Sequence, residues 1–326
     1  MSSSRLSATR TDEMREQFGE RLRESVNLAP YTSARIGGMV DYLLIAKSAK
    51  ELEEMAQQLW NMDMNFRILG GGSNVLVSDR GVRGVVILNQ ARKVAFDETS
   101  AGPRVRAESG ASLGSVSRRS VDRDWLGLEW AATIPGTVGG AVVGNAGAHG
   151  GDIASSLEVA EILQQNRKPE SWRVERLNYG YRDSVLKNVP GSVVVLEAAF
   201  RLKTAQESLA KAKLAEFAAY RQRTQPGGAS WGSMFKNPAE KYAGRLIDTA
   251  GLKGLQIGGA RVSTKHANFF LNLGDASAAD VLRLLKTVRD RVDKQFNVEL
   301  ELEIELFGDW DPDEIEGVAR QIDGNA

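Results

Sequence analysis

Residues Ile134 to Gly151 read IPGTVGGAVVGNAGAHGG, and the fold turns on how this run is read. Seven of its eighteen residues are glycine, against 33 of 326 in the whole chain, and those between are mostly small and apolar. A linker would carry more serine and charge. A glycine run holding Val and Ala packs against a core while its backbone N–H groups approach a ligand unobstructed, which suits a phosphate-bearing cofactor. Tight turns and close strand contacts with no ligand would use the same composition. Both readings stand at this point.

Upstream lies a second glycine cluster, Gly70-Gly71-Gly72-Ser73-Asn74. Before it, Val40–Ala46 (VDYLLIA) suits a buried strand, Ser48 with Glu51 forms a capping box opening a helix to about Asn61, and Asn65–Leu69 returns as a strand. In a dinucleotide fold such glycines open a long helix. Here they run into VLVSD (Val75 to Asp79), which is strand-like, and the Gly-Lys-Ser/Thr end of a Walker loop is missing. What remains is a strand–turn–strand in which consecutive amides and the Ser73 and Asn74 side chains can cradle phosphate oxygens, or a turn without a ligand.

Length and composition bound the rest. A chain of 326 residues, 42% hydrophobic, is expected to form two or three domains. Its 42 basic and 42 acidic residues cancel, so no global field recruits nucleic acid or membrane, and any anion site is built locally. There is no long apolar run and no signal-peptide pattern, so a cytoplasmic protein is expected. With no cysteine and only two histidines, disulfides and thiolate nucleophiles are out and little is left for a metal site.

Along the chain, the Ser-, Arg- and Glu-rich residues 1–26, with a short helix over about Asp12 to Glu24, read as a peripheral extension. Strands are expected at Gly84–Leu88, Arg104–Glu108, Leu157–Gln164, Trp172–Leu177 and Val193–Leu202, with a helix from Ser112 to about Val121. A third region follows, with helices from near Thr204 to Thr224, Ala239–Thr249 and Ala278–Phe296, and a final strand Val298–Phe307. Beyond Gly308 the chain is an acidic tail, expected to be loosely held. The pattern is α+β, with strands preponderant.

Two features of the third region bear on chemistry. Between Arg221 and Lys265 there are eight basic residues and only two acidic ones, a local anion-binding bias on a neutral chain. In ELELEIELF, Glu299, Glu301, Glu303 and Glu305 share one strand face, a wet face of which at most one carboxylate need turn into a cleft.

Taken in order, GGGSN, IPGTVGGAVVGNAGAHG, GYRDS (Gly180–Ser184), GSMFKNP (Gly232–Pro238) and the segment Phe296–Gly308 closely resemble UDP-N-acetylenolpyruvoylglucosamine reductase. The resemblance covers about Asn27 to Gly308. It implies a two-subdomain FAD-binding fold of the vanillyl-alcohol-oxidase (PCMH-like) type followed by an α+β substrate-binding domain. The divisions expected are 1–26 extension, 27–92 and 93–203 FAD-binding subdomains, 204–308 substrate domain and 309–326 tail. FAD would be held by Arg35, Gly70, Gly71, Gly72, Ser73, Asn74, Gly110, Pro135, Gly136, Gly139, Gly140, Asn145, Ala146 and Gly147.

The activity implied is NADPH-driven reduction of UDP-N-acetylglucosamine enolpyruvate to UDP-N-acetylmuramate in cytoplasmic peptidoglycan precursor synthesis, by a monomer without nucleic-acid or membrane partner. Hydride from flavin N5 would add to the enol ether, and charge would accumulate on the conjugated carboxylate, which calls for a fixed cation and a donor. By motif match Arg182 is that cation, Glu303 its acidic partner and Ser233 the donor that protonates the adjacent carbon. Lys236, Asn237, Arg221, Arg223, His266 and Asn268 are the candidates for the UDP moiety, and no metal is implied. The short connection after Leu202 resembles the subgroup that lacks a substrate-covering loop with its tyrosine. His149 and Gly144 stand where the family commonly has a tyrosine and a larger side chain. The alternatives are a flavin oxidase on the same fold, with His149 as a covalent attachment point, and a nucleotide-binding protein without activity.

Overall fold

The computed structural model describes residues 8–189 and 191–318. Helix α1 (Ala8–Phe18) ends at Gly19, whose φ of +52° breaks it, and strand β1 (Arg23–Asn27) follows. The expected helix over 12–24 is therefore split, and the segment is not detached: Met14 and Phe18 are buried, and β1 pairs antiparallel with β2 (Met39–Ala46).

Helix α2 (Ala49–Asn61) buries Leu52, Met55, Ala56 and Leu59, the spacing of one helical face. Ser48 caps it by accepting from the Glu51 amide, whereas the Glu51 carboxylate takes the Lys47 amide rather than that of the cap residue, so half of the expected box forms. Strands β3 (Phe66–Leu69), β4 (Val75–Val77) and β5 (Val82–Asn89) complete this part. The first sheet has the order β1-β2-β5-β3, with β2 and β3 parallel to β5 and apolar cores on both faces.

The second sheet is antiparallel throughout. It comprises β6 (Val94–Thr99), β7 (Gly102–Glu108), β11 (Leu157–Gln164), β12 (Glu170–Arg173) and β13 (Val193–Arg201) in the order β12-β11-β13-β7-β6. Between β7 and β11 run helix α3 (Leu113–Val121), β8 (Trp125–Leu126), helix α4 (Val138–Gly144), the hairpin β9 (Gly147–Ala148) and β10 (Gly151–Asp152), and the single turn α5 (Ile153–Ser156). The strand expected over 172–177 ends at Arg173, because Val174–Leu177 curls into a 3-10 turn that lays Arg176 over the Trp172 ring.

Strand β14 (Lys203–Thr204) pairs with β8, which delays helix α6 to Leu209–Thr224. Strands β15 (Ala229–Ser233), β16 (Gln256–Ile257), β17 (Ala260–Val262) and β18 (Phe269–Asn272) form the third sheet, in the order β15-β18-β17-β16, with helix α7 (Ala243–Thr249) between β15 and β16 in the chain. Helix α7 starts four residues later than expected, because a turn with Glu240 at φ +58° precedes it. Helix α8 (Ala278–Phe296) packs Val281, Leu284, Leu285, Val288 and Val292 into the third core.

The final run departs most from expectation. Only β19 (Glu305–Phe307) is a strand, parallel to β4. Residues 301–303 pair instead with the loop after β15: Lys236 N donates to Glu301 O, and Glu303 N to Met234 O. One expected ladder is thus two short ones on different partners, and the switch stitches the third sheet to the loop 70–74. The segment after Gly308 is held as well, since Trp310, Ile315 of α9 (Pro312–Ile315) and Val318 lie on the third core. The rest of the expected tail, residues 319–326, lies outside the described residues.

Candidate active site

The two glycine clusters face each other. A Cβ on Gly70 would stand 2.5 Å from Thr137 Oγ1, one on Gly71 would stand 3.2 Å from Gly136 Cα, and one on Gly136 would stand 2.8 Å from Ser73 Oγ. Side chains at these positions would fill the gap between the loops. Beside them opens a cavity of about 330 Å³ whose lining includes Tyr31, Ser33, Gly70, Gly71, Gly110 and Thr137. Its backbone-rich wall fits a dinucleotide cofactor of the FAD kind. Asn89, Gln90 and Arg92 also line it and were missed by sequence reasoning; they follow the apolar strand β5 and carry no motif.

Other residues expected at the cofactor make close contacts within the protein. Gly72, at φ +58°, would put a Cβ 2.3 Å from the Tyr31 carbonyl, so its freedom is used to close the loop on 31–32. Gly139 is pressed against Ser109. Asn145 is buried, donates to Gly180 O (2.9 Å) and accepts from the Ala154 amide (3.1 Å), so it braces the loop. Arg35 is exposed, in left-handed backbone beyond the cavity wall at 30–33. Pro135, Gly140, Ala146 and Gly147 are absent from the cavity lining, whereas Asn74 and Gly147 reach a second focus.

There Arg182 Nε donates to Glu303 Oε1 at 2.7 Å and Nη2 to Gly147 O at 2.7 Å. Among the described residues Nη1 has no protein acceptor, so an incoming anion has a donor waiting. Arg182 sits at φ +57° inside a turn closed by Gly180 and Asp183. The turn is laced to the end of α4: Tyr179 Oη donates to Val142 O (2.9 Å), Ser184 Oγ to Val143 O (2.6 Å) and Asn145 to Gly180 O. Burial, reinforced by Asp152, pushes the Tyr179 phenol up, so it stays a donor.

Glu303 is the inward carboxylate of its run. Its side chain is 18% exposed, against 53%, 54% and 56% for Glu299, Glu301 and Glu305. Asn74 Nδ2 donates to Glu303 O at 3.1 Å, and Glu305 N to Asn74 O at 2.8 Å. Arginine, its carboxylate and the glycine loop therefore come from three separate parts of the chain. Ser233 ends β15 beyond a register shift and Gly232 at φ +82°, next to Met234, whose carbonyl accepts from the Glu303 amide.

The residues expected around the UDP moiety divide. Asn268 is buried and spans the backbone of Phe235, accepting from its N–H (3.0 Å) and donating to its carbonyl (2.8 Å), so it shapes the loop. Asn237 accepts from the Ala243 amide at the start of α7. Lys236 pairs with Glu301 at 3.3 Å. Neutral His266 accepts the Asn268 amide at Nδ1, and burial, with Lys253, holds its pKa down. Arg221 and Arg223 lie on α6, where Arg223 covers the Tyr220 ring. That helix closes over His149, which stacks on Phe217 (4.3 Å) and meets Tyr220 edge-on.

Residues 40–165 match the family profile of an FAD binding domain. Fold and cradle together define an FAD-binding oxidoreductase. Residues 223–307 match the profile described as UDP-N-acetylenolpyruvoylglucosamine reductase, C-terminal domain. Curated proteins named UDP-N-acetylenolpyruvoylglucosamine reductase are 40% identical over 300 residues in Chloroflexus aggregans (90% of this chain, 100% of that protein) and 42% identical over 299 residues in Halalkalibacterium halodurans (90% and 96%). The crystal structure of the UDP-N-acetylenolpyruvylglucosamine reductase from Thermus caldophilus superposes with a TM-score of 0.74 at 35% identity, covering 88% of this chain and 99% of that one. The chain belongs to the UDP-N-acetylenolpyruvoylglucosamine reductase family. No helix among the described residues is long and apolar enough to cross a membrane.

Proposed function

We propose that the chain catalyses NADPH-driven reduction of UDP-N-acetylglucosamine enolpyruvate to UDP-N-acetylmuramate, with Arg182 receiving the enolpyruvyl carboxylate and Ser233 supplying the proton. The observation that carries the reading is the Arg182–Glu303 contact of 2.7 Å. Glu303 fixes the guanidinium through Nε while leaving Nη1 for the substrate, so a cation is aimed and held before charge develops.

Bound FAD would supply the two-electron hydride chemistry that joins the oxidation of NADPH to the reduction of the enol ether. Gly70, Gly71, Ser73 and Gly136, with Gly110 and Thr137, would hold it. On the substrate, the electron pair of the double bond moves onto the carboxylate, where Arg182 stabilises it. The Ser233 hydroxyl then gives its proton to the adjacent carbon, and solvent restores the hydroxyl. A weak acid suffices because the accepting carbon is strongly basic and the loop positions it. Lys236, Arg221 and Arg223 are the cations available to the diphosphate. The enzyme works as a cytoplasmic monomer.

The test is anaerobic. Ser233→Ala should be reduced by NADPH nearly as fast as the parent, while reoxidation by the enolpyruvyl substrate slows by about 10²–10⁴-fold. Equal losses in both half-reactions would remove Ser233 as donor, and no reoxidation by substrate in the parent protein would remove the reading altogether.

A further inference from the structure

Sequence motifs point to Arg182 but not to Lys187, five residues on. Its ammonium donates to the Arg182 carbonyl. It passes beside Gly144, where a Cβ would stand 3.9 Å from Lys187 Cε, an ordinary packing distance. A left-handed non-glycine backbone persists only where its surroundings over-determine it. For Arg182 those surroundings are the Gly180–Asp183 turn and this lysine. The charges bearing on Lys187 are Asp183 on its own loop, Glu303 and Glu305 on the final run and Lys236 on the loop after β15, while α4 presents uncharged Gly144.

Resting on the role given above to Arg182, we propose that Lys187 is a positioning residue: it locks the left-handed turn so that the guanidinium stays on Glu303 with Nη1 presented to the substrate carboxylate. A half-buried lysine is an uncommon choice for a turn support that a neutral donor could provide. Here it also places a second positive charge behind the arginine. Burial and the nearby Lys236 lower the Lys187 pKa, so the positive charge that strengthens this hydrogen bond is lost as pH rises through that lowered value.

The experiment compares Lys187→Met, Lys187→Arg, Arg182→Met and the double variant Lys187→Met/Arg182→Met as flavin-loaded proteins. Thermal midpoint, both anaerobic half-reactions and calorimetric binding of UDP-N-acetylmuramate are measured. Lys187→Met should keep its flavin and its reduction by NADPH, bind product about tenfold more weakly and reoxidise on substrate about 10- to 100-fold more slowly, the scale of a misplaced positioning group. Lys187→Arg should recover most of both. The double variant should be no slower than Arg182→Met alone, because the lysine acts through the arginine.

Full-speed reoxidation by Lys187→Met beside a slow Arg182→Met would overturn the inference and leave the proposed function standing. A fast Arg182→Met would overturn the proposed role of the arginine itself. Should Lys187→Met fail to fold, the pH profile of reoxidation decides: Lys187→Arg should abolish an alkaline decline seen in the parent, and an unchanged profile counts against the lock.

Discussion

Asn268 offers the sharpest test of how the loop after Ser233 is held. Its amide spans Phe235, taking the backbone N–H at 3.0 Å and giving to the carbonyl at 2.8 Å, and the residue is 3% exposed. Asn268→Leu keeps the branched four-atom side-chain skeleton, with bulkier methyl ends, but strands both backbone groups away from water. Each stranded group costs about 1–3 kcal/mol. The new apolar burial offsets about 1–2 kcal/mol, which at the midpoints of these ranges leaves a net loss of about 2.5 kcal/mol.

Urea unfolding followed by tryptophan fluorescence should show that loss as a lower midpoint at unchanged slope. The functional readout is separate. Because residues 234–236 carry the register of Ser233 against Glu303, reoxidation by substrate should slow by about tenfold or more, whereas reduction by NADPH stays intact. A stability change below about 0.5 kcal/mol, the range of an ordinary surface substitution, would refute the brace. Loss of stability with unimpaired reoxidation would show that the loop keeps its geometry without it.

Gly72→Ala should destabilise the fold and weaken flavin binding, since the added Cβ falls 2.3 Å from the Tyr31 carbonyl in left-handed backbone; Gly150→Ala, also left-handed but with nothing within 4 Å, should cost only about 1–2 kcal/mol. Equal midpoints for the two alanine variants would contradict the packing role of Gly72. Acid should also weaken the protein. Both histidines have lowered pKa values, chiefly from burial, so below about 6.5 the unfolded chain takes up protons that the native state resists and stability falls with pH. His266→Gln should flatten that slope as measured by urea midpoints between about pH 7 and pH 5.5, and an unchanged slope would place its origin elsewhere.

Much of the architecture was legible because it rests on local patterns. The α2 and α8 faces follow from apolar spacing, and Ser48, Ser112 and Ser277 each cap a helix as their side chains allow. Periodicity misread the final run, because alternation of side chains is the same whether a segment has one ladder partner or changes partners midway. Alternation alone did not separate Glu303 from its three neighbouring glutamates, which the motif match did, and the bracing of Phe235 by Asn268 was a matter of which backbone lay opposite it.

The sequence by itself determined the elements, the composition of the two glycine loops and the family motifs with their order, since each depends on residues close together in the chain. Tertiary structure decided that Gly70 meets Thr137, that Arg182 meets Glu303 across 121 positions and that Lys187 stands behind the arginine. The meeting of Arg182 with Glu303 depends on a segment that pairs with both β4 and the loop at 234–236, and no local preference encodes which distant group will supply the partner for a partly buried charge.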